Sequence, residues 1–598
     1  MSSQHDIRQV LNLAQAYENL GQLDEALKEY RHAIEIDPKH VEARIKVARV
    51  SSTLGRWNDA IEALREAVQI APDHIPARIE LGKTLARAGQ SNEALQTFNE
   101  LVELNAADPA MYNSLGNAYD DLGDHQSAIT SYQQAVKLKP DFVEAFCNLG
   151  LIYIKLGRYR ESVKMFEQAI EIHPDYAYAH NNLGVTFHRL SRYDEAITCY
   201  QNAVRLKTDY SDAYANLGLA YTKLGELEKA RDAYENAVRY GQDRPKFFAG
   251  LGIVLSRLND HRKAIDAYKK ALELKPDYLE AQFSVGLLYG KINRWVDALD
   301  AFQKTVRLDP AFAEGHFNLG IAYGKLDRWK EAWNAFREAL RLKPDYAEAH
   351  NHLGLVFFRF GKYHDAVRCY QRAARLDSTY AQPYYNIGVA FSRLGNYKKA
   401  AEAFQHALRI DPRHPESYNN LGVAYTQLGQ YTKAIDAYRN AIRLKPEYPE
   451  AYNNLGEALG HMGQHDEELE AYKTAISLKP DFVEAYFNLG VLYSQLGRRD
   501  DEINAYKTIL RVKPDYADAH HNMGVALAEL GKFEDAINAY RQALRFKPDY
   551  AEAHFNLAIA YINLGNKPAA SREYRILKEG GHADLARQLQ DLLKKATD

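Results

Sequence analysis

NNLGVAYTQLGQYTKAIDAYRNAIRLKP, residues 419–446, decides how the rest of the chain is read. Tyr418, Leu421, Gly422 and Tyr425 fall at the i, i+3, i+4, i+7 spacing of one helical face. Ala434, Tyr438 and Ala441 repeat that pattern further along. Gly429 stands between the two runs, where a left-handed residue ends a helix. Pro446 stops the second run from continuing. The stretch predicts two helices. Small residues, Gly422 and Ala434, let them approach closely, and the Tyr438 ring fills the seam.

The same pattern recurs along the chain. KPDYAEAH occupies 343–350 and again 547–554, a separation of 204 residues or six times 34. KPDFVEA starts at Lys139 and at Lys479, ten times 34 apart. A 34-residue frame opened at Ile7 gives seventeen units over 7–584 with no insertion or deletion. Position 8 of the unit is Gly in fourteen units and Ala in three, so close approach is asked of every hairpin. Position 20 is Ala except at Ser162, Glu468 and Glu502, and position 24 is Tyr or Phe except at Leu64. These columns account for the 42 tyrosines. One helical hairpin cannot bury its apolar face alone, but a stack can. The expected organisation is a short lead at 1–6, seventeen helix–turn–helix units at 7–584, and an amphipathic capping helix and tail at 585–598.

The bulk numbers exclude several classes. A net charge of −3 over 598 residues gives the whole surface no attraction for nucleic acid or an anionic membrane. Cys147, Cys199 and Cys369 lie far apart, which excludes a disulfide framework and a local zinc cluster and fits a reducing, cytoplasmic setting. No signal peptide is expected from MSSQHDIRQVLNLAQAY, and no window is apolar enough to span a bilayer.

Residues 419–446 resemble the tetratricopeptide repeat (TPR): the L-G-x-x-Y, A-x-x-x-F/Y and Pro columns all stand at that family's spacing. The resemblance implies an all-α, right-handed α-solenoid superhelix, with the first helix of each pair lining a concave groove that binds other proteins, often as extended peptides.

Positions 2, 6, 9 and 13 form a second stripe on the first helix, clear of the packing columns. By resemblance, this stripe faces the groove. Position 6 is Asn at Asn12, Asn148, Asn182, Asn216, Asn318, Asn386, Asn420, Asn454, Asn488, Asn522 and Asn556. An amide both donates and accepts, so a row of amides can hold a peptide backbone whatever its side chains. This resembles the asparagine ladder in the repeat region of the O-linked N-acetylglucosamine transferases. The alternative is that each amide only bonds its own scaffold. Position 13 is basic in eight consecutive units: Lys155, Arg189, Lys223, Arg257, Lys291, Lys325, Arg359 and Arg393. Either these form a rail for an acidic segment, or they answer the negative ends of their own helices. Position 9 is Val, Leu or Ile from Leu151 to Ile559, except at Glu457, giving the floor an apolar strip.

In KPDYAEAH, Asp345 and Glu348 stand three apart, as do Asp549 and Glu552, which predicts a capping box. His180, His316, His350, His520 and His554 share position 4 with Tyr and Phe and read as packing residues. Glu468 and Glu502, in the Ala column, are expected to snorkel outward, a hinge being the alternative. Gly250 and Ser284 interrupt the amides, suggesting a bend or a division into two binding halves. Lys46, Glu80 and Ser114 replace them near the N-terminus.

No catalytic motif survives inspection. GLLYGK (286–291) and GIAYGK (320–325) are one residue short of a phosphate loop and lie inside first helices. The carboxylate-clamp form of the family needs Lys at position 5 and Asn at position 9, and position 5 is Lys in no unit. The sequence therefore points to a non-enzymatic scaffold without cofactor or metal. A substrate-targeting arm of a glycosyltransferase-type or other enzyme is the second reading, and an RNA-binding helical repeat the third, disfavoured by charge. Self-association is compatible with all three.

Overall fold

The computed structural model describes residues 2–104 and 107–595, so Met1 and the last three residues of the expected tail lie outside it. Thirty-five α-helices, α1 to α35, and no strand occur among the described residues. The chain is an all-α helical-repeat solenoid. First helices begin every 34 residues from Val41 to Ala551, and second helices every 34 from Leu23 to Lys567. Helix α1 runs over Ser2–Asn19 and so begins ahead of Ile7.

Two compact units compose the chain, Met1–Ala301 and Phe302–Asp598. In the first, neighbouring first helices such as α13 (Ser211–Leu224) and α15 (Pro245–Arg257) touch one another. In the second, the same holds for α25 (Pro415–Gln427) and α27 (Pro449–His461). Second helices show no comparable contact among the described residues. The row that packs closer lies on the inside of a curve, so in each unit the first helices line the concave side.

The seam inside each pair is a ring against a glycine. A Cβ added to Gly354 in α21 (Ala347–Arg359) would stand 2.5 Å from Tyr370 Cε1 in α22 (Tyr363–Leu376). Gly422 and Tyr438 repeat the arrangement at 2.5 Å. The one unit with Leu64 in place of the ring has Ala48 in place of the glycine, and Ala14 and Ala558 carry a methyl in units that keep the ring, Tyr30 and Tyr574. Gly354→Ala should cost about 1–3 kcal/mol, the usual range for overpacking. Amide exchange across α21 and α22 is the measurement, and an unchanged rate would refute the seam argument.

Turns between helices use φ near +71°, as at Gly361 and Gly463. Where Gly is missing, Ser191, Asn259, Asn293 and Asp327 take φ of 56–61°. Asn and Asp tolerate that region because their short polar side chains bond locally.

The joint between units differs from the capping box expected of it. Tyr346 is the N-cap of α21 and makes no side-chain cap, so Asp345 lies one residue too early to serve. Where that column is His40, His74, Asp108 or His414, the side chain does accept the amide three residues on. Tyr346 is used instead as a platform for Lys343, whose Nζ sits 4.7 Å from the ring centroid and 3.3 Å from Glu314 Oε1. The second copy repeats it, with Lys547 Nζ 4.0 Å from the Tyr550 centroid and 4.0 Å from Asp518. Acids at position 2 thus meet the lysine that closes their own unit. The position-4 histidines do more than pack. His180, His316, His350, His520 and His554 each donate from Nε2 to the carbonyl of the proline six residues back, at 2.9–3.1 Å.

Glu468 and Glu502 do not snorkel. Both are buried, because each has a hydrogen-bonding partner and room beside it. Glu468 Oε2 is 3.0 Å from His465 Nδ1, and Gly460 leaves the space its carboxylate occupies. Glu502 is 2.7 Å from Arg499 Nη1, which also donates to Ser494 Oγ at 2.6 Å. At the C-terminus, α35 (Ala583–Lys595) packs on α33 (Ala551–Asn563) and α34 (Lys567–Glu579), burying Ala586 and Leu589.

Candidate binding groove

The position-6 amides all lie on first helices, and from Asn148 onward each is buried or half-buried, Asn12 alone being exposed. Sequence reasoning asked what they offer a ligand. The structure shows what holds them. Asn454 Nδ2 donates to Asn419 Oδ1 at 3.1 Å, and Asn488 Nδ2 to Asn453 Oδ1 at 3.1 Å. Asn386 reaches Asn351 at 2.9 Å, and Asn420 reaches the Tyr385 hydroxyl at 3.1 Å. Asn556 Nδ2 lies 3.0 Å from His521 Nε2. In the other unit, Asn148 reaches Asn113 at 2.9 Å and Asn216 reaches Asn181 at 3.0 Å. Every one of these bonds spans 35 residues, from position 6 of one repeat to position 5 of the repeat before.

Position 5 decides which amides make the latch. Cys147 offers no comparable acceptor, and Asn182 turns back to the Tyr178 carbonyl at 2.9 Å. Phe487 likewise leaves Asn522 to the Tyr506 hydroxyl at 3.3 Å. Asn318 bonds the Glu314 carbonyl at 2.8 Å, and His352, which replaces the amide, bonds the Glu348 carbonyl at 2.9 Å. Position 5 went unnoticed in the sequence. The available signal was the doubled amide, Asn181-Asn182, Asn419-Asn420 and Asn453-Asn454.

A latch uses one N–H of a carboxamide that carries two, and leaves the carbonyl oxygen as acceptor. The latched amide is therefore oriented while still able to donate and accept once more, except at Asn148, whose Nδ2 also donates to Asn117 Oδ1 at 3.3 Å. His521 holds two rungs together. Its Nδ1 meets Asn522 Oδ1 at 3.1 Å while Nε2 accepts from Asn556, which assigns the ring proton to Nδ1. Burial lowers the His521 pKa from its ordinary value and keeps the ring neutral.

The basic residues at position 13 are all exposed at the C-terminal ends of first helices. Lys155 pairs with Asp120 at 2.6 Å and Arg359 with Asp327 at 3.4 Å. Arg257 Nη1 donates to the Thr222 carbonyl at 3.1 Å, so this cation does answer the end of the preceding first helix. Arg189, Lys223, Lys291, Lys325 and Arg393 extend from the same edge. At position 9, Leu219, Ile253 and Leu287 are exposed, whereas Leu151 and Val185 are half-buried.

No group of three or more His, Cys, Asp or Glu is placed to hold a metal among the described residues, and no helix there is long and apolar enough to cross a membrane.

Comparison with known proteins gives repeat families throughout. A family model described as the cilia and flagella-associated protein 70 C-terminal domain matches residues 248–448. Models of the tetratricopeptide repeat match 6–73, 53–117, 141–209, 175–243, 437–470 and 483–516. A further TPR model matches 116–157, 461–497 and 526–565. No curated protein matches the chain. Among solved structures, YrrB, described as a TPR protein with an unusual peptide-binding site, is 26% identical, covering 31% of this chain and 96% of its own, at a TM-score of 0.30. MamA is 28% identical over 27% of this chain and 95% of its own, at 0.26. The Cut9–Hcn1 hetero-tetramer of the APC/C is 18% identical over 81% and 96%, at 0.34.

Proposed function

Because the chain belongs to the tetratricopeptide-repeat family, we propose that it is a non-enzymatic scaffold that binds extended segments of partner proteins along its first helices. The observation that carries this reading is the row of position-6 amides held by latches. Asn is a poor helix former, and an exposed helix position gains nothing from it unless the amide is used. A latch to position 5 explains one N–H of each amide. The second N–H and the carbonyl match the two groups a peptide backbone presents at every residue. Affinity of this kind is tolerant of sequence, which suits a scaffold with several partners. The exposed cations at position 13 favour acidic segments alongside. The three cysteines are free thiols, and burial raises Cys147 and Cys199 to about 12 and Cys369 to about 11, in keeping with a reducing, cytoplasmic setting.

Asn420→Ala, Asn454→Ala and Asn488→Ala combined should weaken binding of extended peptides of unrelated sequence by a similar factor, about tenfold or more, at roughly 1 kcal/mol for each hydrogen bond lost. Asn419→Ala with Asn453→Ala breaks two latches yet keeps the ladder amides, so its effect should be smaller. Fluorescence anisotropy on an arrayed peptide set reads both. Unchanged affinity in the first variant, with circular dichroism unchanged, would reject the ladder.

A further inference from the structure

The amide row is interrupted at α15 and at α17 (Leu279–Lys291), where position 6 is Gly250 and Ser284. Packing enforces the first interruption. A Cβ on Gly250 would stand 2.4 Å from Tyr234 Cε1, so no amide fits there while that buried ring holds its place. Ser284 is turned to its own helix, donating to the Glu280 carbonyl at 2.7 Å. Residues three apart on a helix are neighbours, so the loss of a side chain at position 6 uncovers position 9. Ile253 is accordingly 49% exposed, with Leu219 at 41% and Leu287 at 38% on the flanking helices. Three aliphatic side chains are thus exposed on successive first helices, two of which, α15 and α17, lack the backbone-reading amide that α13 keeps in Asn216. One turn further along each helix stand Lys223, Arg257 and Lys291, all exposed. The far rim carries Asp212 and Glu280, but Lys246 replaces the acid between them.

We propose that this face of α13, α15 and α17 is a side-chain-reading subsite for an extended acidic segment with an apolar residue at every third position. The proposal rests on the reading of the first helices as a peptide groove and adds what this part of it selects. Packed helices lie about 8–10 Å apart, and an extended chain in the polyproline II form advances about 3.1 Å per residue with three residues per turn, so every third side chain returns to the same face and meets the next aliphatic contact. Acidic side chains between them lie toward the Lys223–Arg257–Lys291 edge. The Arg257 bond to the Thr222 carbonyl holds that guanidinium at the edge without neutralising it. Charge complementarity sets the peptide's lateral position, and the aliphatic spacing sets its register.

The test uses a fluorescein-labelled peptide of Asp and Glu with Leu at every third position, and a shuffled peptide of equal composition with its leucines adjacent. The spaced peptide should bind about tenfold tighter than the shuffled one. Leu219→Ser, Ile253→Ser and Leu287→Ser together should remove that preference. Arg257→Glu should weaken both peptides, and the loss should shrink in high salt as screening sets in. Asn454→Ala with Asn488→Ala should weaken the spaced and the shuffled peptide by a similar factor and leave the preference between them intact. Equal affinity for the two peptides, an unaltered triple-serine variant, or tighter binding of a peptide stapled into a helix would each overturn the proposal. If the asparagine variant removes the spacing preference as the serine variant does, no separate subsite exists. If the amide ladder instead fails its own test while the spacing preference holds, the general reading falls and this one stands.

Discussion

Tyr438→Ala will open the hairpin of α25 and α26 (Tyr431–Leu444) before any other part of the chain responds. Tyr438 is buried, its ring lies where a Gly422 Cβ would be, and its hydroxyl is 3.1 Å from Thr426 Oγ1. Deleting a buried ring costs about 3–5 kcal/mol, since the lost transfer energy is joined by an unfilled cavity. Each repeat touches only its neighbours, so the loss stays local and a single melting temperature for the chain would understate it. Amide exchange is the right probe. Protection in α25 and α26 should fall by an amount equivalent to about 3–5 kcal/mol. A uniform loss along the chain would contradict the nearest-neighbour picture.

Arg499→Met will be the most damaging change at a charged position. Glu502 is 2% exposed and relies on Arg499, which also pairs with Glu529. Breaking a buried pair by removing one partner leaves an uncompensated charge and costs about 3–5 kcal/mol. The effect carries a pH signature. Burial raises the Glu502 carboxyl above its ordinary range, while the Arg499 bond opposes that rise. A raised carboxyl pKa means the folded state holds the proton more tightly than the unfolded state. Stability from this group is then present at low pH and lost as pH rises through the folded value. Without Arg499 that value climbs further. The deficit of the variant against the parent should therefore be greatest near neutral pH and shrink on acidification into the ordinary carboxylate range. Exchange in α30 (Arg499–Val512), followed across pH in both proteins, reads it. A deficit independent of pH would mean that packing, and not an orphaned carboxylate, is responsible.

The fold was legible because one rule, a small residue at position 8 under a ring at position 24, is written in sixteen of seventeen units, the exception being Leu64 with Ala48. Features local to one helix followed, such as Gly463 at its left-handed turn. Features joining two helices did not. Asp345 looked like a cap because helix starts cannot be read to the residue, and the helix begins just past Tyr346. Glu502 reads as an outward-pointing side chain because Ser494, which anchors Arg499 beside it, lies on the preceding helix. The candidate site was half legible. The amide column stood out, but the partner column did not, because Asn113, Tyr385 and His521 resemble one another only as acceptors and not as letters. The interruption at Gly250 was visible in the sequence. Its cause, a ring on the preceding second helix, was not.

The latch has a bearing on how such a chain can be copied and rearranged. Its donor and acceptor sit 35 residues apart, one residue more than the repeat, so no single repeat contains a whole latch. A duplicated copy of the repeat that holds Asn453 and Asn454 would find its match on both sides, because it carries an acceptor and a donor at once. A copy of the repeat that holds Phe487 and Asn488 would bring a donor but no acceptor, and would leave the next amide unanswered. The inheritable module is therefore a junction between two repeats. Insertions and deletions are tolerated or punished according to what they splice together, and not according to the repeat they add or remove.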